Sequence, residues 1–482
     1  MVQIELGERL TEPPVRDRPL ARSWLAARSV RLGAVLALLL GTLGAAGRGF
    51  APIPEATIPA RLGVSVLTGA DQLFVIDPVD PTGEPRQQVG AYRLPDAAPL
   101  WRVRMPVPGP FGGYALVGDT LVLASDWGST APRRTVGVDA RTGVVSWLRP
   151  GQFETVTASG DVLLWVSDAD ADVEGSGGPD PGDLPDGWGS RAPGTLRAVV
   201  PDSGEVRWSV ALPAGTAHGY AGAPADPTAV WFAAPGPDVV LVRLPDGRLE
   251  LRDLADGRVR RSVELPRSPT GDGWQGPPAA VGDFMLVPEG PSHLTAYGLE
   301  RFERRWTIDW EVDRQPWPQA CGALLCAFRP EGGVRVLDRR TGASRWADER
   351  WSYLTPIGSY LIASHEARPS LAAGLAVVDP PTGRVLGELG AWQLLGAVTG
   401  DAAPAGGGPA DRVRLLGIRS SLDGRTWVAE LDPATATARP LVALPGISGD
   451  CQYGTRSSRS GSHGVLVCRR LNGDIGIWRL PA

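Results

Sequence analysis

The fold is decided by the stretch VRVLDRRTGASRW, which runs from Val334 to Trp346. Its first five residues follow the period of two that a β-strand requires, and Thr341-Gly342 supplies a turn that tolerates positive φ. A second strand then ends at Trp346. This stretch therefore predicts an antiparallel hairpin.

The same pattern returns along most of the chain after residue 60. A Gly-centred turn between two hydrophobic strands recurs as VGDTLV (Val117–Val122), SGDVLL (Ser159–Leu164), VGDFML (Val281–Leu286), CGALLC (Cys321–Cys326) and IGSYLI (Ile357–Ile362). A second hairpin recurs as VGVDARTGVVSW (Val136–Trp147), AVVPDSGEVRW (Ala198–Trp208), TAYGLERFERRW (Thr295–Trp306) and AVVDPPTGRVL (Ala376–Leu386), with weaker copies that include GDIGIWRL (Gly473–Leu480). Each unit thus has four short strands.

Tryptophan residues mark the period of this unit. Intervals of 46, 61, 98 and 40 residues separate Trp101, Trp147, Trp208, Trp306 and Trp346. Units of about 40–50 residues with four strands each are typical of β-propeller blades. The long interval of 61 contains a Gly- and Pro-rich insertion from Asp168 to Pro193, which we predict to be a surface loop. We interpret the five tryptophans as residues that pack one blade on the next.

Composition agrees with an all-β chain. With 62 Gly and 46 Pro among 482 residues, strand-like runs are broken by turn residues every few positions. Nine segments are candidates for the third strand of a unit. We predict a propeller of four-stranded antiparallel blades, eight in number, with seven and nine as the alternatives. The net charge of -5 provides no reason to expect nucleic acid as a partner.

The N-terminal part has a different character. Residues 1–31 are predicted to be a disordered, mildly basic cytoplasmic tail, residues 32–48 a transmembrane helix, residues 49–60 a linker and residues 61–482 the propeller. The run Leu32–Gly47 contains no charged side chain, yet its length of about 24 Å is short of a hydrocarbon core of about 30 Å. A cleavable signal peptide remains the alternative. The late position of the run favours an uncleaved anchor, and the preceding arginines predict that the propeller is outside the cytoplasm.

The four cysteines form two pairs when the hairpins are aligned. Cys321 and Cys326 occupy facing positions in one first hairpin, and Cys451 and Cys468 do so across a longer loop in the last unit. Facing positions can meet the roughly 4.4–6.8 Å between Cα atoms in a disulfide. Zinc held by four cysteines would need short Cys-to-Cys spacings on both sides, and CxxC occurs on neither. Two disulfide bonds are therefore predicted.

The pattern D-x-x-T-G-x-x-x-W at Asp139–Trp147 and Asp338–Trp346 resembles the repeat of PQQ-type propellers. The resemblance covers roughly Arg61 to Ala482. The repeat is shared by quinoprotein dehydrogenases and by non-catalytic scaffolds similar to BamB, so it implies the fold and leaves both functions open. The combination of basic tail, single anchor and degenerate propeller resembles membrane-anchored actinobacterial PQQ-like proteins. Eight blades are usual in this family.

Nothing in the sequence nominates a catalytic, cofactor-binding or metal site. Catalytic relatives carry a vicinal Cys-Cys pair, and no two cysteines are adjacent here. The acidic run from Asp168 to Glu174 lacks the glycine and glutamate of an EF-hand and is interpreted as a solvated loop. The four histidines show no metal-binding spacing. Arg260 and Arg261 stand where the repeat has its tryptophan, and we expect them to be exposed.

These observations lead to one hypothesis and its alternative. The hypothesis is a non-catalytic, single-pass membrane-anchored propeller on the extracytoplasmic side, which binds a protein or cell-envelope partner as a scaffold and needs no cofactor. The alternative is a PQQ-dependent dehydrogenase-like or small-molecule-binding propeller. Fold alone does not separate them, because propeller faces are generic binding platforms.

Overall fold

The described part of the chain forms nine antiparallel β-sheets of four strands each. The computed structural model describes residues 55–69, 71–77, 86–108, 110–125, 133–168, 193–221, 237–264, 279–289, 292–311, 317–329, 332–365, 374–399, 413–421, 424–456 and 463–480. The chain divides into two compact units, Met1–Pro52 and Ile53–Ala482. All described residues belong to the second unit, and each of its nine sheets is called a blade below.

The chain runs through the blades in order. Strand β1 (Glu55–Ile58) comes first. Blade 1 contains β2 (Ser65–Thr68), β3 (Gln72–Ile76), β4 (Arg86–Arg93) and β5 (Ala98–Pro108). Blade 2 contains β6 (Phe111–Val117), β7 (Thr120–Ser125), β8 (Arg134–Asp139) and β9 (Val145–Pro150). Blade 3 contains β10 (Gln152–Val156), β11 (Val162–Ser167), β12 (Gly194–Val199) and β13 (Val206–Leu212).

The next three blades have the same composition. Blade 4 contains β14 (Ala217–Ala221), β15 (Val239–Arg243), β16 (Arg248–Asp253) and β17 (Val259–Glu264). Blade 5 contains β18 (Ala279–Val281), β19 (Phe284–Pro288), β20 (His293–Gly298) and β21 (Arg304–Asp309). Blade 6 contains β22 (Gln319–Cys321), β23 (Leu324–Phe328), β24 (Val334–Asp338) and β25 (Ser344–Asp348).

The last three blades complete the series. Blade 7 contains β26 (Tyr353–Ile357), β27 (Tyr360–Ser364), β28 (Gly374–Val378) and β29 (Val385–Ala391). Blade 8 contains β30 (Gln393–Thr399), β31 (Val413–Ser420), β32 (Arg425–Asp432) and β33 (Thr437–Pro445). Blade 9 contains β34 (Ile447–Arg456), β35 (His463–Arg470), β36 (Ile475–Arg479) and, as its fourth strand, β1.

The predicted number of eight blades is wrong, because all nine candidate third strands belong to blades. The ninth is β36, within GDIGIWRL, which the sequence suggested was part of a second hairpin. No strand follows β36 in the described chain, and β1 pairs with it instead, with Glu55 opposite Trp478 and Ile58 opposite Ile475. Residues 49–60, for which a linker is predicted, therefore include a strand of the propeller. Pairing between the two ends of the chain covers an edge that would otherwise be open.

Nine hydrophobic clusters join the blades into a closed ring. Each cluster lies between two consecutive blades, and one of them joins blade 9 to blade 1. Strand β7 shows how one strand serves two clusters: Leu121 and Leu123 pack toward blade 1, while Val122 and Ala124 pack toward blade 3. A blade is covered on both faces, so its middle strands are continuously apolar.

The meander gives the ring two distinct faces. In each blade the turns between strands 1 and 2 and between strands 3 and 4 lie at one end. The turns between strands 2 and 3, and the connections from blade to blade, lie at the other end, which we call the junction face. The first end is called the opposite face. Strand β1 begins at the opposite face, and β36 ends there.

A tryptophan on the fourth strand of one blade contacts the turn between strands 3 and 4 of the next blade. The indole of Trp306 donates a hydrogen bond to the carbonyl oxygen of Arg339 at 3.1 Å, and its ring lies against Gly342. A β-carbon on Gly342 would lie 2.6 Å from the ring of Trp306, and its φ is +71°. The same contact recurs for Trp101 with Ala140 and Gly143, Trp147 with Pro201 and Gly204, Trp208 with Leu254 and Gly257, and Trp346 with Pro380 and Gly383.

Four junctions lack this tryptophan, and their turns differ accordingly. The strand registers place other residues at the tryptophan position, namely Arg261, Gly387, Pro440 and Ala56. The non-glycine residues with positive φ in the described part of the chain are Ala97, Phe302 and Ala436. All three occupy the turn position that faces no tryptophan. Glycine is therefore required in this turn where an indole covers it, and a side chain is tolerated where none does.

The structure contains two disulfide bonds, so the prediction of disulfide bonds is confirmed. Cys451 and Cys468 are paired across β34 and β35, with their Cα atoms 4.1 Å apart. Cys321 and Cys326 are bonded with Cα atoms 5.6 Å apart but do not face each other. The tight turn pairs Cys321 with Leu324, so Cys326 lies diagonally, two positions further along.

No helix among the residues that the structure describes is long and apolar enough to cross a membrane. The apolar run Leu32–Gly47 and the insertion at residues 169–192 lie outside the described residues. The transmembrane helix and the surface loop expected there remain predictions.

Replacing Gly342 by Ala tests the contact between indole and turn. Alanine at Gly247, which also has positive φ but open space around it, should cost about 1 to 2 kcal/mol from backbone strain alone. Gly342→Ala adds a clash with Trp306, so we expect a total loss of about 3 kcal/mol or more in the free energy of unfolding. Urea unfolding of both variants measures the difference. Equal losses would contradict an indole contact as the reason for glycine.

Candidate interaction surface

Three further tryptophans, spaced 41 residues apart, lie at the junction face in three consecutive blade-to-blade connections. They are Trp310 between blades 5 and 6, Trp351 between blades 6 and 7, and Trp392 between blades 7 and 8. All three are buried, with 3% to 4% of their surface exposed. They are not among the residues predicted from the sequence, although their two intervals of 41 residues match the repeat. That interval was the available signal.

An arginine covers each of these rings. The guanidinium carbon of Arg335 lies 5.3 Å from the ring centroid of Trp310, and that of Arg419 lies 4.8 Å from the centroid of Trp392. Both arginines come from the blade that follows the tryptophan. Arg350 lies 5.2 Å from the centroid of Trp351, its neighbour in sequence. Such placement over an aromatic face stabilises the cation and orients it.

Aromatic side chains extend the surface between blades 6 and 7. Phe328 and Tyr353 are stacked, with ring centroids 4.7 Å apart and planes 23° apart, and Tyr353 remains 38% exposed. Next to them, the rings of Trp351 and His365 are 4.5 Å apart. His365 is exposed, and its Nδ1 lies 2.7 Å from the carbonyl oxygen of Arg350. We call this set of residues, together with the other two Trp–Arg pairs, the aromatic arc.

A buried polar cluster ties blade 3 to blade 4. His218 Nε2 lies 3.1 Å from the hydroxyl of Tyr220 and 3.5 Å from Oε2 of Glu154, and Tyr220 donates to that same oxygen at 3.1 Å. A bulge in β10 at Glu154 turns its carboxylate toward blade 4. The side chains of His218 and Glu154 are 0% and 7% exposed. A substrate in solution cannot reach these buried side chains, so the cluster serves to hold blades 3 and 4 together.

The described structure contains two cavities whose volumes approach or fall within the range of ligand sites. One of about 270 Å³ is lined by the first strands of blades 1, 2, 8 and 9 and by β35 and β36 of blade 9, and its lining includes Tyr114, Gln393 and Gln452. It is slightly smaller than typical ligand pockets of about 300–1,000 Å³. A second, open cleft of about 590 Å³ at the opposite face is lined by Asp283, Arg305 and neighbouring residues of blades 5 and 6.

Ion pairs fill the open cleft. Asp283 binds Arg305 of its own blade at 2.5 Å and Arg339 at 2.8 Å across the seam between blades 5 and 6. Hydrogen bonds from Arg305 and burial act on Asp283 in opposite senses, and its pKa is lowered overall. The carboxylate already occupies two of the guanidinium groups that a ligand would need. The cleft is therefore a weaker candidate than the aromatic arc.

Asp338 organises the turn that receives Trp306. Its Oδ1 accepts hydrogen bonds from the backbone N–H groups of Arg340 and Thr341 and from the Thr341 hydroxyl, and its Oδ2 accepts from Arg345. The Arg345 hydrogen bonds, assisted by those from Thr341, lower the pKa of Asp338 to about 2. Asp139 has the same turn, and hydrogen bonds from Thr142 lower its pKa.

The remaining candidate residues from the sequence do not come together in a common site within the described structure. Arg260 and Arg261 are exposed, and Arg260 pairs with Asp253 at 2.7 Å. Of the acidic run, Asp168 is described and the following acids lie outside the described residues. Within the described ranges, no group of three or more His, Cys, Asp or Glu side chains is arranged to hold a metal ion.

The repeated four-stranded blades and their Trp–Gly seams define the chain as a PQQ-like repeat β-propeller. The family model described as outer membrane protein assembly factor BamB matches residues 85–348, more than half of the chain, and the chain belongs to that family. No curated protein matches the chain significantly.

Solved structures show a distant likeness. BamB from Moraxella catarrhalis is 11% identical with a TM-score of 0.40, and the alignment covers 89% of this chain and 98% of that one. The computationally designed Ika8 protein is 12% identical with a TM-score of 0.39, covering 76% and 95%. The quinohemoprotein alcohol dehydrogenase ADHIIG from Pseudomonas putida HK5 is 10% identical with a TM-score of 0.38, covering 88% and 75%. Likeness at this level says nothing about function.

Replacing Asp338 by Asn tests the ionised carboxylate. Because the folded pKa of about 2 lies below the unfolded value of about 3.9, its stabilisation is present above pH 4 and is lost as the pH falls toward 2. We expect Asp338→Asn to lower the free energy of unfolding by about 1 to 2 kcal/mol at pH 7 and by about half as much at pH 3.

Urea unfolding at both pH values makes this measurement. Asp139→Asn is the matched control, since Asp139 has the same turn but accepts no hydrogen bond from a guanidinium group in the described structure. A loss at Asp338 that equals the loss at Asp139, or that does not change with pH, would refute the role given to Arg345.

Proposed function

We propose that the chain is a non-catalytic scaffold that binds a protein partner through the aromatic arc on its junction face. The observation that carries the proposal is the arc itself, a set of packed aromatic rings with an arginine over each of three indoles. Tyr, Trp and Arg are the residues most enriched among energetic hot spots of protein interfaces. The family description names an assembly factor for outer membrane proteins, which supports a protein as the class of partner.

The arc is suited to binding because its parts are already ordered. Tyr353 is stacked on Phe328, and Arg350 is held over Trp351 and paired with Asp348 at 2.7 Å. Little side-chain entropy would be lost when a partner covers these groups. The junction face carries neither end of the described ring, because β1 begins and β36 ends on the opposite face. A partner can therefore approach it without meeting the chain ends of the ring.

The scaffold proposal includes a place in the cell. We propose that the run Leu32–Gly47 is an uncleaved membrane anchor, with residues 1–31 in the cytoplasm and the propeller in the cell envelope outside it. The arginines before the run and its late position support this topology. The two disulfide bonds also suit an oxidising compartment.

Sequencing the N-terminus of the membrane-bound protein tests the anchor. We expect the mature chain to retain residues 1–31, because the late position of the apolar run disfavours cleavage at Gly44-Ala45-Ala46. Carbonate extraction should leave the protein in the membrane fraction. A mature chain that begins near Gly47, or release by carbonate, would contradict the anchor and leave the scaffold proposal standing.

Site-specific photocrosslinking tests the scaffold. A photoreactive residue at Tyr353 should form an adduct with a defined partner in intact envelopes, and one at Val144, which is 61% exposed on the opposite face, should not. The partner, identified by mass spectrometry and purified, should bind Tyr353→Ala at least about 10-fold more weakly than wild type. Identical adducts at both positions would contradict binding by the arc.

The small-molecule alternative has a separate outcome in the same preparation. Purified protein is incubated with PQQ and calcium and then passed through a gel-filtration column. A quinone absorbance that co-elutes with the protein, together with dye-linked alcohol oxidation, would overturn the non-catalytic proposal. The cavity of about 270 Å³ lined by blades 1, 2, 8 and 9 is the place where such a ligand would be sought first.

A further inference from the structure

The three Trp–Arg pairs of the aromatic arc share one geometry. In each, a guanidinium lies about 5 Å from the centroid of an indole that is itself 3% to 4% exposed. A partner can therefore touch little of the indole surface. The indoles instead hold a cation near the surface. The Arg350 side chain is 61% exposed, Arg419 is exposed and Arg335 is half-buried.

Two of these arginines lack a counter-ion. Many arginines of the ring are paired with a carboxylate, as Arg305 is with Asp283. In the part of the chain that the structure describes, neither Arg335 nor Arg419 has a carboxylate within ion-pair distance. The indole covers one face of each guanidinium and leaves its N–H edges without an acidic partner.

The unpaired edges define the chemistry of a ligand. A guanidinium fork binds a carboxylate through two parallel hydrogen bonds, and stacking on an aromatic ring fixes its plane beforehand. Arg335 in blade 6 and Arg419 in blade 8 are separated by the junction that holds Arg350. The sites thus follow one another along the ring, as the side chains of an extended segment would.

We infer that the aromatic arc binds an acidic protein segment, with Asp or Glu carboxylates on Arg335 and Arg419. The inference rests on the proposed scaffold function and specifies its partner. Binding would come from these two local cations, because a net charge of -5 repels anions at long range. A nucleic acid is the alternative anion and serves as an outcome of the test.

Binding of labelled peptides to the purified propeller tests the inference. The probes are a fluorescein-labelled 12-residue peptide of alternating Glu and Gly, the same peptide with Gln for Glu, and a labelled 12-nucleotide single strand. Fluorescence anisotropy should show the Glu peptide binding at least about 10-fold more tightly than the Gln peptide. The difference should shrink as salt is raised from 50 to about 300 mM.

Paired arginine variants locate the site. Arg335→Gln/Arg419→Gln should weaken binding of the Glu peptide about 10-fold or more. Arg340→Gln/Arg384→Gln is the matched control, since both arginines are exposed on the opposite face and pair with no carboxylate among the described residues. The control should bind like wild type. Thermal melting checks that all four substitutions leave the fold intact.

Several results would overturn the inference. Equal binding of the Glu and Gln peptides would do so, as would equal weakening by the control pair. A single strand that binds as tightly as the Glu peptide and through the same arginines would show a general polyanion site. If the peptides fail while a photocrosslinked partner at Tyr353 is still found, the acidic class is wrong and the scaffold proposal survives.

Discussion

The contact between an indole on one blade and the turn of the next is the interaction on which the ring depends. It combines a hydrogen bond to a carbonyl oxygen with close packing on a glycine, as for Trp306 with Arg339 and Gly342. Neither part can form within a single blade, so the contact stabilises only the assembled ring. Five of the nine junctions use it, and they set the spacing of the outer strands.

Junctions between blades that lack the indole contact are stabilised by other interactions. Between blades 7 and 8 the residues are exchanged: Gly387 stands at the tryptophan position and Ala436 at the glycine position. Between blades 9 and 1, Gln452 bonds to Thr68 and to the carbonyl oxygen of Val66, and β1 pairs along the edge of β36. Closure of the ring thus relies on hydrogen bonds between the first and last strands of the propeller, because no further unit follows the last one in the described chain.

In the aromatic arc, on the junction face, tryptophan has a different role. Here the indole is buried and the arginine is presented to solvent, so Trp310 and Trp392 act as supports for Arg335 and Arg419. The family relationship by itself indicates a binding scaffold and not its ligand. Charge that is oriented by the fold and left without a counter-ion is what the proposed acidic partner would recognise.

The local features could be predicted from the amino-acid sequence: four strands per unit, the hairpin turns, the spacing of Trp306 and Trp346, and facing positions for Cys451 and Cys468. All of these depend on residues close in sequence, where the period of two and turn chemistry act directly. The number of blades and the aromatic arc depend on contacts between distant parts of the chain. The ninth blade needs β1 beside β36, and Arg335 meets Trp310 across a seam, because ring curvature brings together residues that no local pattern connects.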